Sequence, residues 1–158
     1  MSKRKKSKPN QAPYERLGIV TIDEVLAVKD QETYVFLGEQ VKLTSLRMQT
    51  FLHKGTVCSA CGREAAYFAV ERHWSRQEGH SNTYHLNLYG LGVEENEILY
   101  THDHTIARAL GGKDQISNTE TMCSHCNNSK SVCENKIAQL NEWYKKNGKS
   151  LRIAIVNE

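Results

Sequence analysis

Hydrophobic residues along the chain fall into short runs, and their spacing changes from one run to the next. "TYVFL" (33–37) and "VKL" (41–43) flank "GEQ", a combination that predicts a short hairpin. "SLRMQTFLHKG" (45–55) spaces Leu46, Met48, Phe51 and Leu52 as a helix does and stops at Gly55. "AYFAVER" (66–72) is β-like, and "YHLNLY" (84–89) alternates with Tyr84, Leu86 and Leu88 on one face. "EILYTHDH" (97–104) predicts another strand. Beyond Cys126, the residues Val132, Ile137, Leu140 and Tyr144 recur near a helical period, with Lys145 and Lys146 in the last turn and Gly148 as a stop. "LRIAIV" (151–156) predicts a closing strand. Thr21-Ile22-Asp23-Glu24 has the form of a capping box leading into "EVLAV", although that Val-rich flank fits a strand equally well. The mixture predicts an α+β fold.

A length of 158 residues suits one domain of ordinary size. No apolar run approaches the roughly 18–20 residues of a membrane span, and the basic N-terminus lacks an apolar signal core. The expectation is a soluble, cytoplasmic protein. The net charge is +3 but unevenly spread. Residues 1–16 hold Lys3, Arg4, Lys5, Lys6, Lys8 and Arg16 against Glu15, a net +5, so the remainder carries −2. Such a segment buries too little apolar surface to fold alone and reads as a mobile tail. It serves either as a solubilising end or as an arm that tracks phosphates.

Four of the five cysteines form two CxxC pairs, Cys58/Cys61 and Cys123/Cys126, and Cys133 stands apart. Without an export signal such knuckles favour metal over disulfides, and four thiolates suit zinc. The zinc site would be structural, because four cysteines leave no open position for chemistry. Paired redox thiols are the competing reading. Asp103 and His104 end the strand 97–104, while Asn127 and Asn128 open the long helix just after the second knuckle. The zinc staple would therefore gather a carboxylate, an imidazole, an amide oxygen and a helix N-terminus. Oxygen donors of this kind suit a hard cation such as Mg²⁺, and the helix start with Lys130 suits a phosphate.

In order along the chain, Asp103-His104, Gly111-Gly112, Asn118, Cys123-Ser124-His125-Cys126-Asn127 and Lys130 resemble the zinc-containing HNH endonucleases, the ββα-metal nucleases. The resemblance covers residues 98–130 most strongly and extends back to Cys58/Cys61. It implies a ββα-metal core stapled by a four-cysteine zinc site, with an endonuclease activity that hydrolyses DNA phosphodiesters. Asp103 and Asn127 would hold one catalytic divalent metal, Mg²⁺ or another such as Mn²⁺, and His104 would be the general base. Asn118 would fix the loop and help orient His104, while Lys130 would contact phosphate. The tail residues Lys3, Arg4, Lys5 and Lys6 would add DNA contacts.

Many family members place a proline a few positions after the Asp-His pair, where this chain has "TIARAL". His102 is an addition to the minimal pattern; it would project on the same side as His104, and it reads better as a surface histidine than as a supporting partner. "VKLTSLRMQTFLHKG" before "CSACG", and "YHLNLY" before the active-site strand, look like a small type of HNH endonuclease often encoded by tailed bacteriophages, which would act in the host cytoplasm. The expected division is a tail (1–16), a small N-terminal accessory region facing DNA (17–56) and the nuclease domain (57–158). The alternative from another class is a non-catalytic, zinc-stabilised nucleic-acid-binding protein.

Overall fold

Alternation along the chain becomes a five-stranded antiparallel sheet in the computed structural model, which describes residues 14–73 and 83–149. Its strands are β1 (Tyr14–Val20), β4 (Tyr67–His73), β5 (His85–Leu91), β6 (Glu97–His104) and β7 (Thr119–Cys123), side by side in that order. A separate hairpin joins β2 (Thr33–Phe36) to β3 (Glu39–Lys42). Its turn places Leu37 and Gly38 at φ 52° and 86°, the double positive φ that matches strand twist. Three α-helices, α1 (Ile22–Leu26), α2 (Leu46–Lys54) and α3 (Ser124–Lys146), and three single-turn 3-10 helices complete the elements of the described residues.

The capping box forms as its sequence predicts. Thr21 Oγ1 accepts from Glu24 N, and the Glu24 carboxylate accepts from Thr21 N at 2.7 Å, which decides "IDEVL" in favour of helix. Helix α2 is capped by the Ser45 hydroxyl and stops at Gly55, whose φ of 90° suits a residue without Cβ. Two strands are not foreseen from the sequence. Strand β1 is an edge strand with only Val20 buried. Strand β7, "TETMC", hides Thr119 and Thr121, whose hydroxyls are satisfied by Ile116 O and Gly55 O. Tyr14, Glu15 and Arg16, which the sequence gives to the tail, belong to β1. Residues 1–13 and the strand expected at 151–156 lie outside the described residues.

One face of the sheet is apolar. Phe68 and Val70 pair in register with Leu88 and Leu86, and with Ile98 and Tyr100 they join Met48, Phe51 and Leu52 of α2 and Val41 and Leu43 of the hairpin segment in a single core. Residues on both sides of the boundary expected at 56/57 share this core. Gly90 is required by close approach, since a Cβ there would lie 2.8 Å from the Tyr100 ring. On the other face Glu71, only 2% exposed, is held by Arg16 Nε at 2.7 Å, Asn87 Nδ2 at 2.6 Å and Tyr89 Oη at 3.0 Å. A buried carboxylate is tolerable only with partners of this kind. The core in turn fixes where β6 ends, and β6 carries the site. Replacing the fully buried Phe51 by Ala should lower stability by about 3–5 kcal/mol, read from urea unfolding followed by circular dichroism.

Candidate metal centres and catalytic cleft

The two CxxC knuckles meet. Potential ligand atoms of Cys58, Cys61, Cys123 and Cys126 all lie within 4.8 Å of one another, with Cys61 Sγ and Cys123 Sγ at 4.0 Å. Sulfurs around a tetrahedral ion at about 2.3 Å would be spaced by just under 4 Å, so the donors fit a thiolate-binding metal. The first knuckle is tightened by Gly62 N donating to Cys58 O and Cys58 N donating to Arg63 O, each at 2.9 Å. Tyr100 of β6 reaches the same turn, its hydroxyl 2.9 Å from Arg63 O. Burial works against the Cys58 thiolate, but the N–H groups of Cys123, Cys61 and Ala60 prevail and bring its pKa down to about 6. Cys126 is pushed up instead, chiefly through its contact with the Cys123 sulfur. Four crowded sulfurs cannot all ionise without a cation among them. Cys133 is exposed on α3, apart from this cluster.

The second knuckle is also the start of α3. Asn127, Lys130 and Glu134 follow at i, i+3 and i+7, one stripe of the helix. That stripe faces the end of β6, where β6 pairs with β7 as His102↔Thr121, Asp103↔Glu120 and His104↔Thr119. Asn127 Nδ2 donates to Thr101 Oγ1 at 2.6 Å, which leaves the amide oxygen as the end suited to a cation. Asp103 is only 7% exposed, and its Oδ2 lacks a hydrogen bond of good geometry although Lys130 Nζ stands 2.8 Å away. A buried carboxylate oxygen in that condition is a fitting ligand for a hard cation. Asp103, His104 and Asn127 together line a cleft of about 270 Å³, bordered by Arg108, Ser131 and Glu134.

Lys130, expected against phosphate, is bound within the protein: it donates to His104 O at 2.7 Å and to Glu134 Oε1 at 2.5 Å, besides pairing with Asp103. Burial opposes its charge, but the contacts with Asp103 and Glu134 outweigh burial and raise its pKa. His104 Nε2 lies 2.7 Å from Asp114 Oδ1, a partner the sequence does not single out because nothing in its spacing ties position 114 to 104. Glu134 and Arg108 escape sequence reasoning for the same reason.

The loop between β6 and β7 is fixed by Asn118. Its Oδ1 accepts from Ile106 N at 2.9 Å, while its Nδ2 donates to Ile106 O at 3.1 Å and Lys113 O at 3.0 Å. Asn118 does not bond the imidazole; it acts beside His104 through the backbone, where Thr105 N donates to Asn118 O at 2.9 Å. The glycine pair now has a reason. Gly111 sits at φ 91°, and a Cβ on Gly112 would fall 1.7 Å from Ile106 O.

His102 departs from the surface reading. It is half-buried, lines the cleft and meets the His104 ring edge-on at 5.5 Å. Burial first, then the neighbouring His104 and Arg47 charges, lower its pKa and favour the neutral ring. Of the other histidines, His53 bonds Gln49 on its own helix and His85 is half-buried in β5; His80 and the Lys3, Arg4, Lys5 and Lys6 cluster lie outside the described residues.

Two antiparallel strands, a helix packed against both, and a carboxylate, imidazole and amide at their junction define a ββα-metal architecture. Residues 94–132 match the family model described as HNH endonuclease. No curated protein and no solved structure matches the chain. No helix among the described residues is long and apolar enough to cross a membrane.

The Gly112→Ala variant should keep its metal at the four cysteines and its overall circular dichroism. Its loop has no room for the methyl group, so nuclease turnover should fall by at least tenfold. Unchanged turnover would mean that the loop does not position the cleft.

Proposed function

We propose that the protein is a metal-dependent endonuclease that hydrolyses DNA phosphodiester bonds. The observation that carries this reading is the convergence of Asp103, His104 and Asn127 in one cleft inside the segment that matches the HNH endonuclease family. Asp103 and Asn127 are the residues that would hold a divalent cation, Mg²⁺ or Mn²⁺. Such an ion neutralises charge on the scissile phosphate and on the leaving oxygen.

His104 is the general base. With Nε2 held at Asp114, Nδ1 is the nitrogen that takes a proton from the attacking water. The Asp114 carboxylate then stabilises the imidazolium, as an acidic partner does for a base of this kind. Water attacks phosphorus in line, the bond to the 3′ oxygen breaks, and the family resemblance gives 5′-phosphate and 3′-hydroxyl products. Asn118 positions His104 by fixing the loop that follows it, and Arg108 at the cleft border is suited to a non-bridging phosphate oxygen. Lys130 pairs with Asp103 from the same stripe of α3.

The four cysteines hold a structural zinc, and the basic residues Lys3, Arg4, Lys5 and Lys6 add a salt-dependent attraction for DNA. Serine in place of Cys123 should release the zinc, measured as metal per chain by atomic emission, and melt α3 together with activity. Structural zinc of this kind contributes about 10–16 kcal/mol, comparable to the roughly 5–15 kcal/mol stability of an entire domain.

The decisive assay is cleavage of supercoiled plasmid with Mg²⁺, Mn²⁺ or chelator, beside His104→Ala at equal zinc content. Open circles or linear molecules should form only with metal, and the variant should lose about 10²–10⁴-fold in rate. Cutting by the variant at the wild-type rate would remove His104 from the role of base. A gel shift without product under any metal would favour a zinc-stabilised binder.

A further inference from the structure

Helix α3 runs 23 residues from the knuckle, yet none of its residues is buried. Its second half is half-buried at Ile137, Ala138, Asn141 and Tyr144 and leaves Leu140 and Trp143 exposed. The catalytic cleft shares Ala109 and Asn135 with a second groove of about 670 Å³, which continues along α3 past Gln139 and Glu142 to Trp143 and Lys146. From Asn127 to Trp143 is sixteen residues, about 24 Å along the axis at 1.5 Å per residue. At 3.4 Å per nucleotide that is about seven nucleotides of B-form strand, and fewer if the strand is extended.

The contents of this groove point to a ligand. Trp143 is 54% exposed at its far end, edge-on to Tyr144 with ring centroids 5.1 Å apart. Lys146 lines the groove beside Glu142, and Lys136, Lys145 and Lys149 stand elsewhere on this half of the helix and just beyond it. The lining is mixed, with amide, carboxylate and ammonium groups beside alanine and the indole. A groove that continues the cleft and ends in a lysine beside an indole suits single-stranded nucleic acid, with a phosphate on Lys146 and a base on the aromatic face. Bases inside a duplex are stacked on both sides and have no face to give. Only an unpaired base can use Trp143.

We propose that the groove beside the second half of α3 carries an unpaired continuation of the cleaved DNA strand, with a base stacked on Trp143. The substrate class is then DNA with a single-stranded segment within a few nucleotides of the cut, not uninterrupted duplex. This rests on the nuclease reading above.

The test is fluorescence anisotropy of labelled DNA with the zinc-loaded full chain and no added Mg²⁺. One probe is a fully paired duplex, and the others carry an unpaired tail of about ten nucleotides, long enough to span the groove, on one strand or the other. Wild type should bind one tailed probe more tightly than the paired one. Trp143→Ala should erase about 5- to 100-fold of that preference, the range expected for one stacked base, while Trp143→Phe should retain most of it. An equal preference in wild type and Trp143→Ala, or none in wild type, would overturn the inference; metal-dependent plasmid cleavage by the same preparation would show that the nuclease reading survives. If the preparation neither cleaves nor binds, the nuclease reading falls and takes this one with it. Concentration-dependent dimers that Trp143→Ala abolishes, with DNA affinity unchanged, would assign the indole to a contact between copies and also overturn the inference.

Discussion

The contact on which the rest depends is the meeting of the two cysteine knuckles. Cys58 and Cys61 lie in the turn just before β4, whereas Cys123 and Cys126 end β7 and begin α3. Holding those sulfurs together closes a loop of 62 residues and sets the angle at which α3 leaves the sheet. The helix has no buried residue to set that angle by packing. Its first turn has no side-chain cap either, since Cys123 in the N-cap position makes no capping hydrogen bond. Local geometry at the knuckles thus becomes the geometry of Asn127, Lys130 and Glu134 one to three turns later.

The cleft is held from two sides by different means. On the helix side the reference is the cysteine cluster. On the sheet side it is the apolar core, which anchors β6 through Ile98 and Tyr100, and the hydroxyl of Tyr100 links core to knuckle. The loop between β6 and β7 has no core of its own, so it is ordered by a buried amide and by two glycines that let the backbone fold onto itself. Polar groups do in this loop what hydrophobic packing does elsewhere, which suits a segment exposed to water.

Much of this is legible in the sequence, for identifiable reasons. The hairpin, α2, β4, β5, β6 and α3 each announce themselves by period or by a stop residue, and the paired CxxC spacing announces the cluster. Strand β7 does not, because its inward residues include threonines whose buried hydroxyls are satisfied by backbone carbonyls, one near in the chain and one far, a fact invisible to hydropathy. Strand β1 escapes because an edge strand keeps most of its side chains in water. In the cleft, Asp103, His104, Asn118 and Asn127 are marked by motif, whereas Asp114 and Glu134 reach it from positions no motif marks. His102 reads as a surface residue in the sequence because alternation tells the side of a strand but not what covers it.

The way α3 is mounted has a further consequence. Fastened at its N-terminal end by the knuckle and without a fully buried residue beyond, it is mounted like a cantilever, with its firmest support beside the cleft. Substitutions at the exposed positions of its outer turns should carry little folding penalty. The outer half of the helix is therefore open to change in sequence in a way that the half beside the knuckle is not.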